Sequence, residues 1–144
     1  MAERNDPYSN FNFIVEIEGL SVAGFNEVCG LTTESGIIEY RNGNENTTPR
    51  KIPGLKKYGN IVFKRGFTSN TELWEWRRTV LDGNTERRAG AVIVLDENRQ
   101  PGLRFEFRDA WPVKWEGPSL DAQANGVAIE TLELAVEGLQ FDTA

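Results

Sequence analysis

The sequence predicts a mainly β domain: a two-sheet β-sandwich or small, incompletely closed barrel, flanked by one α-helix and carrying a long extended loop. Three observations predict it. Short segments with apolar residues at every second position recur along the chain, the pattern of half-buried strands. Only one stretch, 69–82, changes to the wider apolar spacing of a helix. About eight such strands beside one helix then fit a layered β architecture. With 144 residues, the chain is long enough for one domain, 1–144, with a sizeable core.

The elements follow in order. Residues 1–10 are polar and read as a flexible N-terminal arm. Residues 11–18 form the first strand, with Phe11, Phe13, Val15 and Ile17 on one side and Asn12, Glu16 and Glu18 on the other. Residues 22–33 read as a second strand, bulged near Gly24 and Gly30, and 37–41 as a third. The connection 41–60 is rich in Asn, Gly, Thr, Pro and Lys. Such a long loop in a compact domain implies a use for it. Residues 60–65 are a fourth strand, with Ile61 and Phe63 alternating against Val62 and Lys64.

In the helix, Ser69 and Glu72 match a capping box. Leu73, Trp74, Trp76, Val80 and Leu81 share a broad apolar arc, into which Arg77 also points. Asp82-Gly83 ends it. Residues 91–95 are apolar throughout and read as a buried strand, 96–102 as a turn, and 103–109 as a strand with Leu103, Phe105 and Phe107 inward. Trp111, Val113 and Trp115 share a face of the next strand, and 127–141 reads as one long final strand.

Composition removes several function classes. A net charge of −6 argues against general binding to nucleic acid or anionic membranes. No apolar run approaches membrane-spanning length, and MAERNDPYSN lacks the apolar centre of a secretory signal, so synthesis in the cytoplasm is expected. The single Cys29 excludes an intrachain disulfide and reads as a buried, inert thiol. The absence of histidine removes Ser-His-Asp and Cys-His catalysis and His-containing zinc sites.

Six of the 16 Lys and Arg residues fall between Arg50 and Gly66: Arg50, Lys51, Lys56, Lys57, Lys64 and Arg65. The spacing of Gly54 and Gly59 approaches that of a phosphate loop, but the closing Lys and Ser/Thr are missing and a strand, not a helix, follows. A loop making protein contacts is the simpler reading. Glu16 with Glu18, and Glu133 with Glu137, could pair as hydrolase carboxylates; a solvated strand face is far commoner. The tryptophans could form a carbohydrate-binding platform, yet their spacings fit core packing better. Asp96-Glu97-Asn98 lacks the ligand spacing of a calcium loop.

Several stretches together carry a family likeness. Asp6-Pro7-Tyr8 leads into Phe11-x-Phe13-x-Val15-x-Ile17. Gly24-Phe25-x-Glu27-Val28-Cys29-Gly30-Leu31 follows, then Ile52-Pro53-Gly54-Leu55-Lys56-Lys57-Tyr58-Gly59-Asn60-Ile61. Lys64-Arg65-Gly66 precedes the helix with Leu73-Trp74-x-Trp76. Ala110-Trp111-Pro112-Val113-Lys114-Trp115 and Ile129-Glu130-Thr131-Leu132-Glu133-Leu134 complete the set. In order and spacing the chain resembles the inner tail-tube protein of contractile phage tails and of phage-tail-like extracellular contractile injection systems.

The resemblance implies a tail-tube or Hcp-like fold without catalytic residues, cofactors or metal. It implies hexameric rings that stack into a hollow tube, with the inner sheet continuing from copy to copy as one large barrel. The partners it implies are further copies of the chain, a sheath protein, baseplate and tube-terminating proteins, and cargo protein or DNA in the lumen. The expected location is a phage tail or a released phage-tail-like particle. A tube-initiating baseplate ring, a type VI-like secreted tube ring and a β-sandwich carbohydrate-binding module are the alternatives. Arg50, Lys51, Lys56, Lys57 and Tyr58 are the expected inter-subunit contacts. Glu16, Glu18, Thr131, Glu133 and Glu137 are the expected lumen lining.

Overall fold

The computed structural model describes residues 6–20, 24–41, 43 and 48–144. Residues 1–5 of the expected arm, 22–23 of the expected second strand, and 42 and 44–47 of the expected loop lie outside the described residues. The described chain holds strands β1 (Phe13–Ile17), β2 (Glu27–Cys29), β3 (Thr33–Tyr40), β4 (Arg50–Tyr58) and β5 (Ile61–Gly66). Helix α1 (Glu72–Leu81) follows, then β6 (Arg88–Leu95), β7 (Pro101–Glu116), β8 (Ile129–Ala135) and β9 (Gly138–Thr143).

Strand β7 organises the sandwich. Its first half pairs with β6 on one side and β9 on the other; its second half pairs with β8. All pairings are antiparallel. One layer is therefore β1-β6-β7-β9 and the other β7-β8-β5-β2. The change of layer occurs at Asp109, whose φ of 52° lies in the left-handed region that Asp tolerates better than most residues. Two expected strands are thus one strand, turned at a corner.

A register shift between Pro112 and Lys114 adds one residue to β7. It sets Pro112 opposite Leu134 and Trp115 opposite Leu132, both on the core face, and leaves Trp111 opposite Ala135 on the other face. Trp111 and Trp115 therefore do not share a face, because a bulge breaks the period of two. The long last strand expected over 127–141 is likewise two strands, parted at Val136 and Glu137.

The core lies between the layers. Val15, Ile17, Val92 and Phe107 meet Ile61, Phe63, Leu132 and Leu134, with Leu73 and Trp76 of α1 closing one side. Fully burying such side chains stabilises by roughly 1.5–3 kcal/mol each. Phe11, expected on the core side, precedes β1 and is exposed. Cys29 is exposed too, since it sits on the outer face of the short edge strand β2.

The helix starts at Glu72, not at Ser69. Thr71 is its N-cap without a side-chain cap bond, and the Asn70 Oδ1 accepts from the Glu72 N–H at 2.9 Å, so the expected capping box does not form. At the other end Gly83 has the left-handed φ of 83° that ends helices. Arg77 is half-buried, and its Nη1 donates to the Pro112 carbonyl at 3.1 Å rather than to a carboxylate.

One ion pair is buried in this frame. Arg65 Nε donates to Glu130 Oε1 at 2.5 Å, Trp115 Nε1 donates to Glu130 Oε2 at 3.1 Å, and Arg65 Nη2 donates to the Asn70 carbonyl at 3.3 Å. The Arg65 guanidinium also faces the Phe25 ring, 5.9 Å from its centre. Replacing one partner strands the other's charge in the core. Glu130→Ala is therefore expected to lower unfolding free energy by about 3–5 kcal/mol in urea titrations; a loss under about 1 kcal/mol would mean that Arg65 is solvated in the fold.

Candidate assembly surfaces

The expected loop over 41–60 is in large part a strand. Residues 50–58 form β4, which pairs with β3 from Thr33↔Tyr58 to Tyr40↔Arg50. Pro53 and Gly54 read as loop residues in the sequence. They fit a strand here because β4 has a partner on one side only, where proline is tolerated. A register shift between Ser35 and Ile37 brings Gly36 close to Gly54, where a side chain on Gly54 would press on the Gly36 carbonyl.

This β3–β4 hairpin is a two-stranded sheet of its own, and among the described residues no other strand or helix packs along it. It displays Ile38, Ile52 and Tyr40 on one face and Ile37 on the other, with Leu55 86% exposed near the bulge. An isolated two-stranded hairpin is marginal in water, and exposed apolar residues gathered on one arm mark an interaction site. Opposite charges lie across the ladder, Glu34 opposite Lys57 and Glu39 opposite Lys51. That arrangement fixes the register of an arm that has no core to fix it.

The predicted basic residues separate into two groups. Arg50, Lys51, Lys56 and Lys57 are exposed on the hairpin, while Tyr58 is half-buried at its base. Lys64 and Arg65 turn back on the sandwich, Lys64 to Glu27 at 3.1 Å and Arg65 to Glu130.

The five candidate lumen residues are not brought together. Glu16 and Glu18 belong to the β1 end of one layer, and Glu16 opposes Ala91 on the face away from the core. Thr131 and Glu133 lie on the outward face of the other layer, where Glu133 accepts from Asn60 Nδ2 at 2.9 Å. Glu137 sits at the β8–β9 break and pairs with Arg87 at 3.0 Å. Two opposite faces cannot line one channel, so the acidic pattern mixed two surfaces.

Nor do the tryptophans make a platform. None is exposed: Trp76 is buried with its Nε1 donating to the Glu86 carbonyl at 2.7 Å, and Trp74 packs on Trp115 with ring centres 5.0 Å apart. The apolar display of the hairpin had a signal in the sequence, Ile37-Ile38 and Ile52 within polar strands, but only the missing neighbours make it a surface.

Comparison with curated proteins finds no match. Among solved structures, the chain is similar to one in an extracellular contractile injection system, the PVC sheath-tube complex in its extended state. Identity is 26%, with 96% of this chain and 93% of that one covered and a TM-score of 0.86. A chain of the anti-feeding prophage tube-terminating cap is 25% identical over 100% of this chain and 96% of its own, with a TM-score of 0.89. Hcp1 from Flavobacterium johnsoniae, 18% identical over 93% and 97% of the two chains with a TM-score of 0.59, shares the fold. The sequence profile of the T4-like virus tail tube proteins covers residues 9–140, which include every strand from β1 to β8 and the helix, and the chain belongs to that family, the T4-like virus tail tube protein gp19 family.

Proposed function

We propose that the chain is the subunit of the inner tube of a contractile injection machine. Copies close into hexameric rings, and rings stack into a hollow conduit that a contracting sheath drives through a target envelope. The observation that carries the assembly step is the β3–β4 hairpin, a separate two-stranded sheet among the described residues, an arm with exposed apolar residues and exposed basic residues on an otherwise acidic protein. Arg50, Lys51, Lys56 and Lys57 meet acidic surface on a neighbouring copy, with Tyr58 at the arm's root. Likeness to chains from a sheath-tube complex and a tube-terminating cap supports a sheath and terminating proteins as partners, with a baseplate below and protein or DNA cargo in the lumen.

The role is structural, without catalysis. Among the described residues no helix is long and apolar enough to cross a membrane. The chain is made in the cytoplasm and assembled into a tail or a released particle.

Electron microscopy of the purified protein is expected to show rings or stacked tubes. A strictly monomeric protein at high concentration, unable to join a baseplate, would overturn the proposal. Reversing Lys56 and Lys57 to Glu is expected to abolish tubes while the domain stays folded, with unfolding stability lowered by no more than about 1 kcal/mol because Lys57 stands opposite Glu34. Normal tubes from that variant would remove the two lysines from the contact. Leu55→Ser is expected to leave the monomer equally stable but raise the concentration needed for tubes. Burying a leucine is worth roughly 1.5–3 kcal/mol per contact, and an unchanged threshold would leave Leu55 outside the interface.

A further inference from the structure

The β3–β4 hairpin grows out of one end of β5. Cys29↔Val62 is the last β2–β5 pair on that side; the Gly59 N–H then donates to the Thr32 carbonyl at 3.3 Å, and Thr33↔Tyr58 opens the hairpin ladder. The ribbon passes a tight point here. Gly30, with a left-handed φ of 90°, lies against the Asn60 carbonyl and leaves no room for a side chain. The hairpin therefore leaves from the Ile61 end of β5. Leu55 stands on it near the bulge, with Lys56 and Lys57 next in the chain.

The Gly66 end of β5 carries a feature that complements the arm. Between the second layer and the first turn of α1 there is a depression of about 210 Å³, lined by Phe67, Asn70, Thr71, Trp74, Trp115 and Glu130. Three of those six are aromatic. Glu130 is buried, and both its carboxylate oxygens are engaged, one by Arg65 and the other by Trp115. Its charge is thus already answered, and the rest of the lining favours an apolar occupant. Phe67 is held in place by its N–H, which donates to the Ala128 carbonyl at 2.9 Å, next to the exposed Val127. Sites for small molecules usually measure about 300–1,000 Å³, so a depression of this size suits a single apolar side chain better than a cofactor.

We propose that the Phe67–Trp74–Trp115 depression of one copy receives Leu55 of a neighbouring copy. This deepens the subunit reading given above and rests on it. Three observations choose the occupant. Leu55 is the most exposed large apolar residue among those described, and an apolar side chain seated in a pocket with a charged surround is a common anchor of protein interfaces. The charges agree: Lys56 and Lys57 follow Leu55, while Glu72 and Glu75 lie in the first turn of α1 and Glu116 follows Trp115. Arg78 and Lys114 pair with Glu75 and Glu116, but at exposed positions where such pairs are weak and can be exchanged. Lastly, arm and depression lie beyond opposite ends of β5, a strand of six residues and roughly 20 Å. A copy cannot fill its own depression, so the contact joins unlike surfaces and repeats from copy to copy.

Disulfide trapping and a double-mutant cycle test the contact. In a Cys29→Ser background, Leu55→Cys is combined with Thr71→Cys or with Val127→Cys, both exposed positions at the depression. Within one copy these sites are too far apart for a bond. Oxidation of assembled tubes is expected to give covalent multimers with at least one pair and none with any single cysteine. Tubes that form without multimers from either pair overturn the depression as the receiving site but not the subunit reading. Wild-type protein that makes no tubes overturns both. The second readout needs no cysteines. Thr71→Phe narrows the depression, and because Thr71 makes no side-chain cap bond the domain is expected to stay folded. The concentration needed for tubes is expected to rise about tenfold or more, as it does for Leu55→Ser, and the double variant is expected to be little worse than either single one. Effects that multiply would place Leu55 and the depression in separate contacts and overturn the proposal. So would Thr71→Phe tubes that form normally but no longer take up a sheath protein, which would give the depression to the sheath.

Discussion

Bending β7 at Asp109 lets a single strand belong to both layers, and the sandwich depends on that bend. A strand that pairs with β6 and β9 along one half and β8 along the other fixes the angle and spacing of the layers. It also fixes which side chains meet. Phe107 before the bend packs near Phe63, their ring centres 6.0 Å apart, so the core is stitched across the layers within a few residues of the corner. The register shift at Pro112–Lys114 continues the same device, returning Trp115 to the core after the turn. Bulges and left-handed residues of this kind redirect a strand without ending its ladder.

The buried Arg65–Glu130 pair ties the second layer to the start of α1. It joins adjacent strands β5 and β8, draws in Trp115 from β7 and holds the Asn70 carbonyl before the helix. Such a pair is a weak source of net stability, because desolvation offsets the attraction. Its effect is to position: four segments are oriented by directional bonds in a region where apolar packing alone would allow several arrangements. Trp76 and Arg77 complete the docking of α1, one through the Glu86 carbonyl and the other through Pro112.

Against this closed body, two features remain unsatisfied in the single chain. The β3–β4 hairpin exposes Ile37, Ile38, Ile52 and Leu55, and among the described residues the layer β1-β6-β7-β9 has a strand paired on one side only at each end. Both are features that a monomer in isolation would conceal. A hollow assembly needs contacts of both kinds, one closing the ring and one joining rings, and heterologous contacts that close are the physical route to a ring.

The sequence by itself determined the fold class, the single helix, most strand positions and the inward set Val15, Ile17, Phe63, Phe107, Leu132 and Leu134. Period-two and helical spacing are local consequences of which face meets water. Arg65 lies inward beside Ile61 and Phe63, and its carboxylate partner 65 positions away makes that tolerable. The strand nature of 50–58 was hidden by Pro53 and Gly54, since an exposed hairpin relaxes the rules that central strands obey. The acidic residues looked like one surface because alternation tells the face of a strand but not which layer the strand joins. Layer membership, the faces of Trp111 and Trp115, and the open edges of β1 and β9 were decided by long-range pairing and the bend in β7. Those depend on which strands meet in space, a property that no local pattern of residues contains.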